Sequence, residues 1–152
     1  MILVIGGFAQ GKLHYVKRNY ANGEDGQEML VLDGTRLVSD TEMAQVTAGE
    51  VQTMSGKQAA ERKTAAQVIV NHLHCYIREQ LRQGTDPEKM IVDFLEKHPE
   101  CILICDEIGN GIVPMEAEER IYRERTGRIL EQLAAQADEV VRVVCGIGQR
   151  IK

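Results

Sequence analysis

The sequence predicts an α/β domain of three layers: helices on both faces of a mostly parallel sheet, with a phosphate-binding glycine loop after the first strand. Three observations carry that expectation. Short runs rich in Val, Ile and Leu alternate with helical stretches along the 152 residues. Those runs lack clean polar–apolar alternation, as strands buried on both faces do. The first of them runs straight into Gly6-Gly7-Phe8-Ala9-Gln10-Gly11-Lys12, two glycine positions and a lysine at G-x-x-x-x-G-K spacing.

The elements follow in order. Strands are expected at Ile2–Ile5, Met29–Leu32, Gln67–Val70, Cys101–Cys105 and Val140–Cys145. The opening Met1–Ile5 run is too short for a leader, has no basic residues before it and enters the glycines directly. A first helix should start at Gly11 and stop near Ala21-Asn22-Gly23, and a second should run from about His72 to Gly84. A third is marked by Thr85-Asp86-Pro87-Glu88, which reads as a capping box with a proline in the first turn. Met90, Ile91, Phe94 and Leu95 give it an apolar face, and His98-Pro99 ends it. The last helix is expected over about Glu116–Ala135, with Glu116, Glu118 and Glu119 at its start as a solvated, dipole-favoured cluster. Its apolar face reads Ile121, Tyr122, Ile129, Leu130 and Leu133. Gly34–Ala66 is polar, with one short candidate helix after Ser39-Asp40.

Composition bounds the function. A chain this long forms one domain, over 1–152, burying roughly 68–70% of its unfolded surface. A net charge of −5 argues against a nucleic-acid partner, since such proteins carry a basic stripe. It does not exclude a nucleotide, because a local nest of N–H groups can hold phosphates against the global field. No apolar run reaches the roughly 18 residues of a membrane span. Cys75, Cys101, Cys105 and Cys145 read as reduced thiols of a cytoplasmic protein, and the four-residue step between Cys101 and Cys105 is not a zinc spacing.

The glycine loop is the sharpest signal. Its nucleotide-binding residues are Gly6, Gly7, Phe8, Ala9, Gln10, Gly11, Lys12 and Leu13: the backbone curls N–H groups toward phosphates, and Lys12 reaches the β- and γ-phosphates. Leu13 breaks the pattern, since a P-loop places a Ser or Thr hydroxyl there for Mg²⁺. The other reading is a tight strand-to-helix turn with no ligand. Ligands of parallel sheets bind outside the carboxyl ends of the strands. Those ends carry Asn71-His72-Leu73-His74, Asp106-Glu107 and Cys145-Gly146-Ile147-Gly148. Asp106 and Glu107 could hold Mg²⁺ or act as a base, or one of them could cap the following turn. His72, His74 and Cys75 could bind a soft metal, or be hydrogen-bonded residues at a strand end; with no second cluster at ligand spacing, no metal site is assigned.

The run Asp106-Glu107-Ile108-Gly109-Asn110-Gly111-Ile112-Val113-Pro114 resembles the N-E-V-G-x-G-I-V-P motif of the adenosylcobinamide kinase/guanylyltransferase family. Arg120, Arg123, Gly127 and Arg128 lie at matching offsets. The tail, Ala137-Asp138-Glu139-Val140 then Cys145-Gly146-Ile147-Gly148 and Ile151-Lys152, is similar to the family's A-D-E-V…S-G-I-G…I-K ending. The resemblance implies a P-loop NTPase-like sheet, often assembled as a trimer, acting late in cobalamin synthesis. It implies phosphorylation of adenosylcobinamide by ATP or GTP, then GMP transfer from GTP through a covalent guanylyl-histidine.

Departures from the pattern narrow this. Besides Leu13, Asn71 stands for an acidic residue, Asp106 for Asn, Cys145 for Ser and Leu130 for Asn. The family's guanylated histidine follows the second strand, and Asp33–Ala66 contains no histidine. Guanylyl transfer is therefore expected to be lost. What survives is the cradle, with Lys12 and Glu107 as catalytic candidates and Asp106 as a substrate or metal contact. GTP or ATP is the expected ligand, the need for Mg²⁺ stays open, and cobinamide is the implied acceptor. The alternatives are a non-catalytic paralogue that binds nucleotide or corrinoid and acts through a partner, or an oligomer component with an inert loop.

Overall fold

The computed structural model describes residues 1–20, 29–36 and 67–152. In chain order they form β1 (Ile2–Gly6), α1 (Lys12–Tyr20), β2 (Met29–Asp33), β3 (Gln67–Asn71), α2 (Leu73–Arg82), α3 (Pro87–Lys97), β4 (Ile102–Asp106), α4 (Ala117–Gln136), β5 (Glu139–Val144) and β6 (Ile147–Arg150). The strands make one sheet in the order β2-β3-β4-β1-β5-β6, parallel throughout except for β5–β6. The helix expected after Ser39-Asp40 and the stop at Ala21–Gly23 lie outside the described residues.

Period-two alternation along each strand divides the core in two. Leu3, Val68, Val70, Leu103, Cys105 and Val140 face α2, α3 and α4, meeting Tyr76, Ile77, Phe94, Ile129 and Leu133. Their neighbours Val4, Ile69, Ile102, Ile104, Val141 and Val143 face the other way, onto Val16, Leu13 and Tyr15 of α1. Two buried faces explain why the strands read as continuous apolar runs. The α/β architecture with helices on both faces is as the sequence predicted.

Several details differ. The last expected strand ends at Val144 and not Cys145: Cys145 (φ 51°) and Gly146 (φ 77°) are the two residues of a tight turn, and Val144 pairs with Ile147 across it. Positive φ at both central residues is the mark of a type I′ turn, whose twist matches that of the strands it joins. A short strand with Gly and Gln inside it gives no apolar signal, so β6 is invisible to pattern reading. The cap of α3 is Asp86, not Thr85: its carboxylate accepts from the Glu88 N–H at 3.2 Å. The Thr85 hydroxyl instead meets the Gln80 carbonyl oxygen at 2.9 Å, closing the α2–α3 turn. On α4 the buried stripe is Tyr122, Thr126, Ile129 and Leu133, whereas Ile121 is exposed. A residue beside Tyr122 is turned about 100° from that stripe, and the buried threonine completes the spacing. Glu119, 38% exposed, also pairs with Arg78 of α2, whose guanidinium stacks 4.6 Å from the Tyr122 ring centroid.

Candidate active site

The carboxyl ends of β1, β2, β3 and β4 meet along one edge of the sheet. Gly6 ends β1 in register with Asp106 at the end of β4, and Asp33 ends β2 in register with Asn71 on β3. Gly6 is required for the approach of β5, since a Cβ there would lie 2.3 Å from the Val143 carbonyl oxygen. Beyond it the loop turns with positive φ at Ala9 (55°) and Gly11 (78°), the backbone sense that gathers N–H groups into a concavity. The β5–β6 turn clamps it: the Gly146 N–H donates to the Gln10 carbonyl at 2.9 Å and the Cys145 N–H to Gln10 Oε1 at 2.6 Å. Among the described residues, no hydrogen bond engages the backbone N–H groups of Phe8 to Leu13. Those donors stand at the N-terminus of α1, where the helix dipole favours an anion.

Lys12 turns inward and is 7% exposed. Its Nζ donates to the Gly7 carbonyl at 2.6 Å and lies 2.7 Å from Asp106 Oδ1. Asp106 is equally buried and has His74 on its other side, with Nε2 3.8 Å from Oδ2. The Asp106 N–H donates to His74 Nδ1 at 3.3 Å, so the neutral ring carries its proton on Nε2. That edge also lies 3.2 Å from Cys75 Sγ. Burial pushes His74 below its ordinary value; Asp106 opposes that, while His72, Lys12 and Arg78 reinforce it. Burial and the Asp106 charge hold the Cys75 thiol up, against a metal-binding thiolate.

A second pair sits at the neighbouring strand ends. His72 follows β3 with φ 55°, and its Nδ1 lies 3.0 Å from Asp33 Oδ1 and 3.1 Å from the Asn71 amide nitrogen. Burial alone would raise Asp33, but the Thr35 N–H and hydroxyl and His72 outweigh it and hold the carboxyl below its usual range. The rings of His72 and His74 meet edge to face, centroids 5.9 Å apart.

Glu107 lies one residue past β4. Its N–H donates to the Gly6 carbonyl at 2.9 Å, and its two oxygens take Arg142 Nε and Nη2, each at 2.9 Å. The structure thus brings Lys12 and Asp106 together, sets Glu107 beside them on an arginine, and leaves Phe8 84% exposed at the loop's tip. The Arg120 and Arg123 side chains tie down the loop after β4, donating to the carbonyls of Pro114 (2.9 Å) and Ile112 (2.8 Å). Sequence reading missed Asp33, whose signal was available: it is a strand-end carboxylate like Asp106.

Among the described residues, the side chains do not fit a resident Mg²⁺. Leu13 has no hydroxyl and packs against the sheet, Asp106 Oδ1 is held by Lys12, Asn71 is neutral and Arg142 occupies Glu107. Among the described residues, no group of three or more His, Cys, Asp or Glu is placed to hold a metal ion. No helix among them is long and apolar enough to cross a membrane.

A match to the family described as cobinamide kinase / cobinamide phosphate guanyltransferase runs over residues 2–151. Two curated relatives are each named bifunctional adenosylcobalamin biosynthesis protein CobU, one from Salmonella typhimurium (strain LT2) and one from Escherichia coli (strain K12). Each is 49% identical over 51 residues, and each alignment takes in 34% of this chain and 28% of the relative's length.

Proposed function

The chain belongs to the cobinamide kinase / cobinamide phosphate guanyltransferase family, and from that premise we propose that it binds a nucleoside triphosphate at residues 6–13 and passes the γ-phosphoryl group to a cobinamide-type alcohol. Residues 1–152 then act as one nucleotide-binding domain in cobalamin synthesis. The observation that carries this is the pairing of unspent loop N–H groups with Lys12 turned into the same loop. On binding, Lys12 exchanges the Gly7 carbonyl for phosphate oxygens while Asp106 keeps its charge in place. Phosphoryl transfer is mostly positioning and charge neutralisation, and among the described residues the side chains that support it are Lys12 and, from the rim, Arg142 as positioned by Glu107. Guanylyl transfer is absent from this reading, because residues 33–66 supply no histidine. ATP and GTP are both admitted by a cradle that recognises phosphates.

One observation favours a second reading, a non-catalytic nucleotide- or corrinoid-binding paralogue: Leu13 and the committed carboxylates leave Mg²⁺ without ligands among the described residues. Incubation with γ-labelled nucleotide and cobinamide separates the two. Label transferred to the corrinoid by the wild-type protein and not by Lys12→Ala supports the kinase reading. Bound nucleotide with all label retained supports the second.

A further inference from the structure

The Asp33–His72 pair has no part in the scheme above, and we propose that His72 Nε2 is the base that takes the proton of the acceptor alcohol, a role that rests on the kinase reading of the loop. A carboxylate only accepts hydrogen bonds, so the 3.0 Å contact with Asp33 Oδ1 is made with the His72 proton on Nδ1; the Asn71 amide nitrogen, itself a donor, is then a 3.1 Å neighbour of Nδ1 and not a second hydrogen-bond partner. Nε2 is left with its lone pair, and among the described residues no hydrogen bond engages it. Asp33 is itself fixed, accepting from the Thr35 N–H at 3.0 Å and hydroxyl at 2.9 Å. An oriented imidazole with a buttressing carboxylate is the arrangement that general-base histidines need.

Four further observations agree. The His72 side chain is 40% exposed, so a substrate can reach it. Its backbone holds φ 55°, costing about 1–3 kcal/mol for a residue with a Cβ. Such strain persists where a side chain must be aimed. The turn after β2 closes directly over it: the Gly34 N–H donates to the Asn71 carbonyl at 2.8 Å, and a Cβ on Gly34 would lie 2.3 Å from the His72 carbonyl oxygen. Finally, the pair continues a row along the sheet edge. His72 meets His74 at 5.9 Å between centroids, His74 lies 3.8 Å from Asp106, and Asp106 lies 2.7 Å from Lys12. His74 cannot take the same role, since its Nδ1 accepts from the Asp106 N–H and its Nε2 faces Asp106 and Cys75.

The alcohol O–H breaks and its proton goes to Nε2, while the oxygen electron pair forms the new bond to the γ-phosphorus. The bond from that phosphorus to the bridging oxygen breaks, and the nucleoside diphosphate leaves with the electron pair. Asp33 stabilises the imidazolium until the proton returns to solvent.

The test is chemical rescue in His72→Gly. Glycine suits φ 55°, so this variant keeps the fold, and the nucleotide-induced rise in melting temperature reports the loop separately. The expected result is a kcat lowered about 10²–10⁴-fold with the nucleotide KM unchanged, restored in part and saturably by added imidazole. Asp33→Asn should also lower kcat, without rescue. Unchanged transfer in His72→Gly, or a loss that imidazole does not restore, overturns the proposal. Wild-type protein that is stabilised by nucleotide yet transfers nothing to cobinamide overturns it too, while leaving the loop as a nucleotide site. Absence of any nucleotide effect on the wild-type protein removes the loop reading and this inference together.

Discussion

Lys12 is held by two partners, the Gly7 carbonyl and Asp106, and a phosphate must compete with at least the first. Breaking a buried ion pair by removing one member costs about 3–5 kcal/mol, because the other charge stays buried and unpaired. Lys12→Ala should therefore destabilise the fold by that order in a urea titration, besides removing nucleotide binding. The double variant Lys12→Met with Asp106→Leu should recover much of the stability and none of the binding. A Lys12→Ala protein as stable as wild type would mean that the pair is not formed. His74 makes a pH prediction. Its folded-state affinity for protons is depressed below the ordinary 6.5, chiefly by burial. Below that pH the unfolded chain binds the proton and the folded chain resists it. Its stabilising contribution is thus complete above about pH 6.5 and lost as pH falls through the lower folded value. His98 is depressed in the same direction by burial and Lys97, so the comparison needs single variants. His74→Gln should flatten part of the acid decline in melting temperature; a decline unaffected by it would contradict the burial argument. At this scale Lys12 and Asp106 were legible as a loop lysine and a strand-end carboxylate. The partnership of Asp33 with His72 was not, because 39 residues separate them and only strand order makes them neighbours.

Elements were legible where burial is one-sided or complete. All five parallel strands read as apolar runs because both faces of the sheet are covered. β6 did not, because a four-residue edge strand with Gly148 packed under the Tyr15 ring has no apolar pattern to read. Its work is to hold the type I′ turn at Cys145-Gly146 against Gln10, and so to fix the loop from outside the motif. Caps were legible only to within a residue: Thr85 and Asp86 both suit an N-cap, and the choice falls to Asp86 because the Thr85 hydroxyl is used on Gln80. Asp86→Ala should cost about 0.5–2 kcal/mol in thermal or urea unfolding through the lost α3 cap. The carboxylate also meets Arg125 at 3.2 Å, but across an exposed contact worth little by itself. No measurable change would place the cap elsewhere.

For the whole molecule, the strand order decides the site. Placing β1 between β4 and β5 sets the glycine loop against Asp106 on one side and the Cys145-Gly146 turn on the other. Extending the sheet through β3 to β2 brings His72 and Asp33 to the same edge. The net charge of −5 is a property of the whole chain, whereas the loop's own N–H donors are positive in potential, so local geometry and not global charge governs an anion there. On the reading proposed above, this loop takes a nucleoside triphosphate without help from a protein-held cation. The most direct measurement is the melting temperature with ATP or GTP, in Mg²⁺ and in EDTA. Nucleotide at about 100 times its Kd should add about 2.7 kcal/mol and raise the midpoint by several degrees. That rise is expected in both conditions for the wild-type protein and in neither for Lys12→Ala. No rise with either nucleotide would contradict it and leave the glycine loop as a strand-to-helix turn.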